Sequence, residues 1–289
     1  MTIWPKSDAN YILVIEILLM SAFLLMNAAD AKLQFANVAH YIKAGSFPVS
    51  AFLQNILPND VASLIAIERT CWWFHIIGIF AFLNYVPYSK HLHILFAFPA
   101  SYYGSLNAKG KINNMQSVSN EVKAMLDPTF VPVQTETPGR FGAKDATDLN
   151  WKNLLDSYAC TECGRCTSMC PANQTGKLLS PRKIMMDTRD RITEIGKNID
   201  LHGKDFKDDK SLLDQYVSRE ELWACTTCNA CTEACPINLD PLSIIIELRR
   251  YLVMEESAAT ASLNTMQSNI ETNGTPWKFA NSERANWTN

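Results

Sequence analysis

The sequence has no dense run of basic residues and almost no net charge. Across 289 residues, 26 lysines and arginines stand against 29 aspartates and glutamates, for a formal charge of -3. A protein that follows a phosphate backbone usually concentrates basic residues on one face or in one stretch. The composition therefore indicates no nucleic-acid partner.

Two further absences concern motifs. The chain has no plant-type C-x4-C-x2-C array, which would hold a 2Fe-2S cluster. The segment TGKLLS looks like part of a phosphate-binding loop, but Pro171 stands five residues before Gly176, where that loop requires glycine. We therefore expect no 2Fe-2S cluster, and we interpret TGKLLS as a connector.

Charge is also scarce in the first third of the chain. Residues Tyr11–Ala29 contain one charged side chain, Glu16, and are long enough to cross a bilayer as a helix. A second apolar run, Thr70–Val86, is about as long, and Pro87 should kink the helix that continues beyond it. A cleaved secretory signal is the alternative for the first run, but it would be shorter and more basic at its start. The pattern favours two membrane spans.

Lysines indicate the orientation of these spans. Lys90, Lys109 and Lys111 follow the second span, whereas the connection between the spans has only Lys32 and Lys43. Loops rich in lysine and arginine tend to stay in the cytoplasm. We therefore expect an inner-membrane protein whose later residues, after the second span, face the cytoplasm.

What the chain does have is cysteine at fixed spacing. Eight of its nine cysteines form two copies of C-x2-C-x2-C-x3-C-P, and each cysteine of the first array recurs 65 residues later. The two arrays are Cys160, Cys163, Cys166 and Cys170, and Cys225, Cys228, Cys231 and Cys235. Sulfurs this close are poorly placed for independent disulfides to outer loops, so metal binding in a reducing compartment is indicated. The ninth, Cys71, is expected to pack as a small apolar side chain.

Such arrays are typical of 4Fe-4S clusters. In two-cluster ferredoxins the fourth cysteine of each array ligates the other cluster. On this chain, one cluster would take Cys160, Cys163, Cys166 and Cys235, and the other Cys225, Cys228, Cys231 and Cys170. Zinc sites use paired C-x2-C knuckles separated by a longer gap. We therefore predict two 4Fe-4S clusters, held by two halves that must pack together because each is incomplete alone.

Each array leads into a helix. Ser180-Pro181 and Asp240-Pro241 each place a capping side chain before a proline at the first helical position. The sequence therefore predicts an all-α fold, with transmembrane helices followed by an α-helical ferredoxin-type dicluster domain. The predicted division is a membrane domain (1–103), a linker (104–150), a dicluster domain (151–260) and an extended tail (261–289).

Two histidines have a spacing that suits haem. His75 and His93 are 18 residues apart, or five helical turns, so a continuous helix would hold both on one side, about 27 Å apart along its axis. That separation is close to the depth of a bilayer core, which suits one axial ligand for each of two b-type haems. His91 would point to nearly the opposite side. The alternative is that His91 and His93 are interfacial and that His75 bonds within the helix bundle.

Two segments carry a family resemblance. HIIGIFAFLNYVPYSKHLHILFAFP resembles the last haem-binding helix of the respiratory nitrate reductase gamma subunit family, with His75 and His93 on its two ligand positions. CTECGRCTSMCPANQTGKLLSPRKI resembles membrane-bound heterodisulfide-reductase-like iron-sulfur oxidoreductases of the electron transfer flavoprotein:quinone oxidoreductase type. The resemblance implies a haem b segment fused to a dicluster domain, and a partner such as electron transfer flavoprotein or a subunit with cysteine-rich CCG modules. His40 cannot complete both haems, so their remaining ligands are expected from elsewhere.

These features together predict a membrane-anchored electron-transfer subunit. It would pass electrons through two 4Fe-4S clusters between a cytoplasmic redox partner and haem b or quinone. Two alternatives are a succinate dehydrogenase-like iron-sulfur subunit, which would need the missing 2Fe-2S array, and a non-catalytic membrane scaffold whose clusters only stabilise folding. Glu16 is a costly charge within a span, and we expect it either to accept a quinone proton or to bond to another helix.

Overall fold

The computed structural model describes residues 4–43, 45–108, 110–131, 140–283 and 285–288. Lys109 and positions 132–139 of the predicted linker therefore lie outside the described residues. Within the described ranges the regular structure is helical, apart from one isolated bridge between Leu213 and Val217, which confirms the all-α prediction. The chain divides into two units, Met1–Leu95 and Phe96–Asn289. The four-segment division stays a prediction.

The first unit contains two long helices, α1 (Trp4–Phe35) and α2 (Val61–Tyr85). The carboxylate of Asp60 caps α2 by accepting the backbone N–H of Ser63 at 2.9 Å, which satisfies one of the free donors at the helix start. Near the end of α1, the ammonium group of Lys32 donates to the carbonyl oxygens just before α2, at 3.0 Å from Leu57 and 2.9 Å from Pro58.

The other ends of α1 and α2 are also tied together. Asp8, which is buried, accepts the backbone N–H of Lys90 at 2.6 Å and the hydroxyl of Tyr85. The start of α1 therefore lies beside the end of α2, and the two helices form an antiparallel hairpin. At Gly78 of α2, a Cβ atom would stand 2.3 Å from the side chain of Leu19 in α1. The missing side chain is what lets the α2 backbone come this near.

The hairpin is apolar on its outside. Ser7–Phe35 and Val61–Tyr88 are long and apolar enough to cross a membrane, yet only 28% and 11% of the residues in their most apolar windows are buried. Leu13, Ile77 and Phe80 are each more than half exposed. A helix in the core of a soluble protein would be mostly buried. The two helices thus have the length and the surface that a bilayer requires.

The chain is not helical throughout the segment from His75 to His93. Helix α2 ends at Tyr85, a 3-10 turn follows at Val86–Tyr88, and α3 spans Leu92–Tyr102. The expectation that one continuous helix holds both histidines on one face is therefore wrong. Pro87 removes a backbone donor, and the Ser89 hydroxyl accepts the backbone N–H of His91 at 3.1 Å. The local sequence thus ends one helix and starts another.

The second unit is built from shorter helices. Their bounds are α4 (Gln116–Leu126), α5 (Trp151–Ala159), α6 (Arg165–Ser168), α7 (Pro171–Gln174), α8 (Pro181–His202), α9 (Leu212–Gln215), α10 (Arg219–Ala224), α11 (Ala230–Glu233), α12 (Pro241–Met254) and α13 (Ala261–Asn273). The two predicted helix starts are confirmed. Ser180 accepts the N–H of Lys183 at 3.3 Å, and Asp240 accepts that of Ser243 at 3.1 Å.

The core of this unit lies between α8 and α12. Ile184 and Met185 of α8 and Ile244, Ile245 and Leu248 of α12 are almost completely buried. Burying one such side chain contributes roughly 1.5–3 kcal/mol. The helix that follows each cysteine array therefore supplies the apolar contacts that hold the two halves together.

The end of the predicted linker packs against this core. Gly142 has a φ of +75°, and a Cβ atom there would lie 2.3 Å from the carbonyl oxygen of Glu247 in α12. Glycine is needed both for the left-handed backbone and for the close approach. Ala143 and Ala146 are fully buried. Residues 140–148 are thus a packed part of the second unit.

A buried arginine also binds the segment 140–148. The side chain of Arg191 on α8 is only 3% exposed and pairs with Asp145 and Asp208, each at 2.6 Å. The pairing lowers the pKa of Asp208 to about 2 and raises the pKa of Arg191. Two segments far apart in sequence are therefore bound to one helix through a single guanidinium group.

The predicted extended tail contains a helix. Residues Ala261–Asn273 form α13, in which no residue is buried, so the expectation of an extended chain is wrong for this stretch. Gly274 follows in the left-handed conformation with a φ of 68°, a common way for a helix to end. The stretch lacks the apolar face that burial would require. The glycine at its end is therefore the local sequence signal for this helix.

Candidate iron-sulfur centres

The first cysteine array begins in a loop between α5 and α6, with Cys166 inside α6 and Cys170 just before α7. Cys160 follows the last residue of α5, and the backbone is left-handed at Glu162 (φ 60°) and at Gly164 (φ 82°). Glycine takes this conformation without cost, whereas a side chain costs roughly 1–2 kcal/mol. The Glu162 carboxylate pairs with Arg189 at 2.8 Å, which helps to hold the strained residue. Two reversals of the backbone thus curve the chain around Cys163.

The second array repeats this geometry. Thr227 (φ 56°) and Asn229 (φ 61°) are left-handed, and they stand 65 residues after Glu162 and Gly164. Asparagine enters this region more readily than most residues. Helix α10 precedes the loop and α11 follows it. The internal repeat of the sequence is therefore also a repeat of backbone conformation.

Each loop is tied to the helix that follows its array. The Thr167 hydroxyl lies 2.8 Å from the hydroxyl of Ser180, the cap of α8. At the equivalent place in the second half, the Thr232 hydroxyl donates to Asp240, the cap of α12, at 3.3 Å. A threonine next to the third cysteine thus fixes each loop to a core helix.

A cavity opens at the first array. Its lining includes Cys160, Cys163 and Cys166 together with two cysteines of the second array, Cys231 and Cys235. The remaining lining is largely apolar and includes Met185, Ile237 and Leu239. The fold therefore brings the fourth cysteine of the second array to the first array, as the crossed ligand assignment requires.

The second array also interacts with the first. Besides the larger effect of burial, charge repulsion from Cys170 and Cys228 raises the pKa of Cys225. Cys170, the fourth cysteine of the first array, is itself buried. Cys170 therefore lies near enough to the second array to interact electrostatically with it, while the ligand assignment itself stays a prediction.

Burial keeps several of these thiols neutral. It raises the pKa of Cys160 to about 11 and that of Cys231 to about 12. Iron is bound by the thiolate, so cluster assembly would have to release these protons. Cys163 and Cys228, the second cysteines of the two arrays, are instead exposed. Each site thus has a buried side and a side that faces solvent.

One arginine lies beside each of the two arrays. The sequence reasoning did not single out either of them. Arg249 of α12 donates to the carbonyl oxygens of Leu222 at 3.0 Å and Cys225 at 2.6 Å. Arg189 is its counterpart on α8, 60 residues earlier, and pairs with Glu162. Both arginines bind the chain beside the first cysteine of an array. The missed signal was the equal spacing of each arginine from the proline that opens its helix.

The donor set fits clusters better than single ions. Among the described residues, no three His, Cys, Asp or Glu side chains converge closely enough to bind one metal ion. A zinc ion, with its thiolates at about 2.3 Å, would need such convergence. The four thiolates of a 4Fe-4S cluster bind four different irons and stay farther apart. Around the cavity of the first array, cysteines of both arrays form a thiol donor set of the kind that a 4Fe-4S cluster uses.

The two candidate haem ligands share one feature. Nδ1 of His75 lies 2.9 Å from the carbonyl oxygen of Leu19, and Nδ1 of His93 lies 2.6 Å from that of Lys90. A carbonyl oxygen only accepts, so each contact is a hydrogen bond when its ring carries a proton on Nδ1. In the neutral ring this leaves the Nε2 lone pair for a metal, as in metal-ligating histidines whose other nitrogen bonds to the backbone.

Other polar or reactive groups of the first unit have different surroundings. Nε2 of His91 lies 4.0 Å from a carboxylate oxygen of Glu16, so the structure pairs Glu16 with the histidine that the sequence analysis disfavours as a haem ligand. Cys71 is half-buried rather than enclosed in a core. His40 lies on the surface of the connection between the spans.

Comparison with known proteins agrees with the cysteine chemistry. Residues 159–239 match the family described as a 4Fe-4S dicluster domain. The probable iron-sulfur-binding oxidoreductase FadF of Bacillus subtilis is 34% identical over 245 residues, which cover 75% of this chain and 32% of that protein. The EtfAB:quinone oxidoreductase of Syntrophomonas wolfei is 29% identical over 247 residues, or 79% of this chain and 32% of that protein.

A third relative has a different description. The probable membrane-anchored ferredoxin of Chromohalobacter salexigens is 28% identical over 213 residues, or 68% of this chain and 29% of that protein. The chain thus spans about a third of the length of these curated relatives. No solved structure matches it. The chain is therefore similar to iron-sulfur oxidoreductases, and its residues 159–239 form a 4Fe-4S dicluster domain.

Proposed function

We propose that this chain is a membrane-anchored electron-transfer subunit. It carries electrons through two 4Fe-4S clusters between a redox partner on the cytoplasmic side and haem b or quinone. The observation that carries this proposal is that cysteines of both arrays, including Cys235, line the cavity of the first array; Cys170 also interacts electrostatically with Cys225. When bound, the clusters would supply reversible one-electron chemistry.

The surroundings of the cysteines support transfer rather than a purely structural role. Cys163 and Cys228 are exposed, so a partner protein can approach an edge of each site. Because each group of four draws on both arrays, the two sites are held next to each other. Short distances between redox centres are what electron transfer needs, whereas a single closed site would be enough to stabilise a fold.

The membrane part of the proposal rests on the first unit. Its two long helices expose apolar side chains along most of their length, and one relative is named a membrane-anchored ferredoxin. Lysines after the second helix favour a cytoplasmic position for the cluster domain. The partner and acceptor follow the name of another relative, EtfAB:quinone oxidoreductase. The donor would be electron transfer flavoprotein or a CCG-module subunit, and the acceptor would be quinone.

The haem part of the proposal concerns His75 and His93. Nδ1 of each lies within hydrogen-bond distance of a carbonyl oxygen, so the neutral ring would offer Nε2 to a metal. Each would help to hold one b-type haem, and we propose that the remaining ligands come from outside this chain. In the assembled complex, His75→Ala and His93→Ala should each remove one haem from the low-spin b-type spectrum. His91→Ala should keep both haems, and loss of a haem in that variant would contradict the assignment.

The central experiment measures cluster content and then reduction. Protein purified without oxygen should hold about eight irons and eight acid-labile sulfides per chain, from the ligand count of two clusters. Reduced electron transfer flavoprotein should then reduce both clusters, as seen by electron paramagnetic resonance. Four irons, or stoichiometric zinc, would overturn the cluster assignment. If the chain holds eight irons but neither electron transfer flavoprotein nor a CCG-module donor reduces its clusters, the result would instead indicate a scaffold.

A further inference from the structure

The cavity of the first array is lined by two arginines without an assigned role, the exposed Arg165 and the partly buried Arg182. Arg182, the second residue of α8, lines the cavity together with Cys160, Cys163, Cys166 and Cys235. Its Nη1 atom lies 3.8 Å from the point where a Cβ atom of Gly164 would stand. The guanidinium group is therefore positioned over the loop that carries the first three cysteines.

Arg182 also lacks a partner for a buried donor. Its Nε–H group is buried and has no hydrogen-bond acceptor, and no carboxylate among the described residues forms an ion pair with it. Its neighbours differ, since Lys183 pairs with Asp187 and Glu221, and Arg189 pairs with Glu162. A buried donor without an acceptor costs about 1–3 kcal/mol, and more when it is charged. An anionic group in the cavity would remove this cost.

The second half of the unit has no equivalent of this arginine. Counted from the proline that opens each helix, the counterpart of Arg182 is Leu242, which is buried and apolar. Arg249 does lie near the second array, but its Nε and Nη2 atoms donate to carbonyl oxygens of the chain. Among the described residues, a buried arginine Nε–H without an acceptor is therefore found beside the first array.

We propose that Arg182 donates a hydrogen bond to a sulfur of the cluster held by Cys160, Cys163, Cys166 and Cys235, and thereby sets its reduction potential above that of the other cluster. The proposal rests on the presence of the two clusters proposed above. Each reduction adds one electron, and so one negative charge, to the cluster. Hydrogen bonds to cluster sulfurs are among the features that set the potential. A nearby cation favours the more negative, reduced form. The electron would therefore rest preferentially at the first array.

The test is a redox titration of the purified, cluster-loaded full chain, followed by electron paramagnetic resonance. Arg182→Gln should lower one of the two potentials and leave the other unchanged. We expect the ratio of reduced to oxidised cluster at a fixed potential to fall about tenfold, or ~59 mV for one electron. Arg182→Lys keeps the charge but loses the planar donor group, so it should give a smaller shift. Lys177→Gln, the same loss of charge at an exposed side chain, should give none.

The iron and sulfide content distinguishes a failure of the proposed function from a failure of the proposed role of Arg182. If the unsubstituted chain lacks two clusters, the proposed function fails before Arg182 is tested. If Arg182→Gln or Arg182→Lys keeps eight irons and neither potential moves, the role of Arg182 is overturned. An equal shift of both potentials would also overturn it, because it would reflect a general change of charge. If Arg182→Gln loses iron, the redox titration of Arg182→Lys tests the role of Arg182 in its place.

Discussion

Both units of this chain are helical, but the first exposes apolar residues at its surface and the second buries them in a core. Helix α2 of the first unit exposes Ile77 and Phe80, whereas α12 of the second buries Ile244 and Leu248. The first unit suits an apolar solvent and the second suits water. Helix formation by itself therefore does not distinguish the units. The difference lies in what surrounds each helix, and substitutions should have different effects in the two.

The strongest disruption of the cluster unit should come from one cysteine. Under the crossed ligation proposed above, Cys170→Ser should remove the cluster held by Cys225, Cys228 and Cys231, about four of eight irons. Its residual paramagnetic spectrum should match that of Cys228→Ser. Cys71→Ser, outside both arrays, should keep all iron. A residual spectrum that matches Cys163→Ser would show that each array holds its own cluster.

A buried charge should give the next largest effect. Arg191→Met leaves Asp145 and Asp208 without their shared cation, and breaking a buried pair in this way typically costs about 3–5 kcal/mol. Urea unfolding in detergent, followed by tryptophan fluorescence, measures the loss. Lys177→Met, at an exposed position, should change stability by less than about 0.5 kcal/mol. A cost below about 1 kcal/mol for Arg191→Met would mean that the carboxylates find other partners.

Exposed apolar residues provide the sharpest contrast between the units. Phe80 in α2 is 62% exposed and Leu201 in α8 is 76% exposed. If α2 crosses a bilayer, Phe80→Arg should weaken membrane insertion by about 2.5–3.5 kcal/mol, whereas Phe80→Leu should not. Leu201→Arg should be nearly neutral because that side chain already faces water. Carbonate extraction of membranes measures the difference, and equal behaviour of the two arginine variants would argue against a span at α2.

The smallest effect concerns pH. Burial raises the pKa of Asp187 to about 6, despite its ion pair with Lys183. A raised folded-state pKa means that the contribution of Asp187 to stability is complete below about pH 4 and is lost as pH rises through 6. Asp187→Asn should therefore remove a loss of stability that the unsubstituted chain shows between about pH 4 and 6. Lys183 keeps Glu221 as a partner at 3.0 Å. A larger loss of stability over that range in Asp187→Asn would contradict this sign.

Local signals account for most of what could be predicted. The starts of α8 and α12 depend on Ser180 and Asp240 with their following prolines, and the structure confirms both. Local signals were also misjudged. Pro87 and Ser89 end one helix and start another, where a kinked continuous helix was expected. Gly274 ends a helix in a tail that was expected to be extended.

By itself, the sequence determined the iron-sulfur chemistry, the helical class and the two apolar runs, because each depends on residues close together in the chain. Tertiary structure alone decided which groups from distant segments meet. It joined Asp145 and Asp208 through Arg191, and it left the buried Nε–H of Arg182, which lines the cysteine cavity, without an acceptor. Such contacts depend on how helices pack across 60 or more residues, and no spacing along the chain encodes that packing.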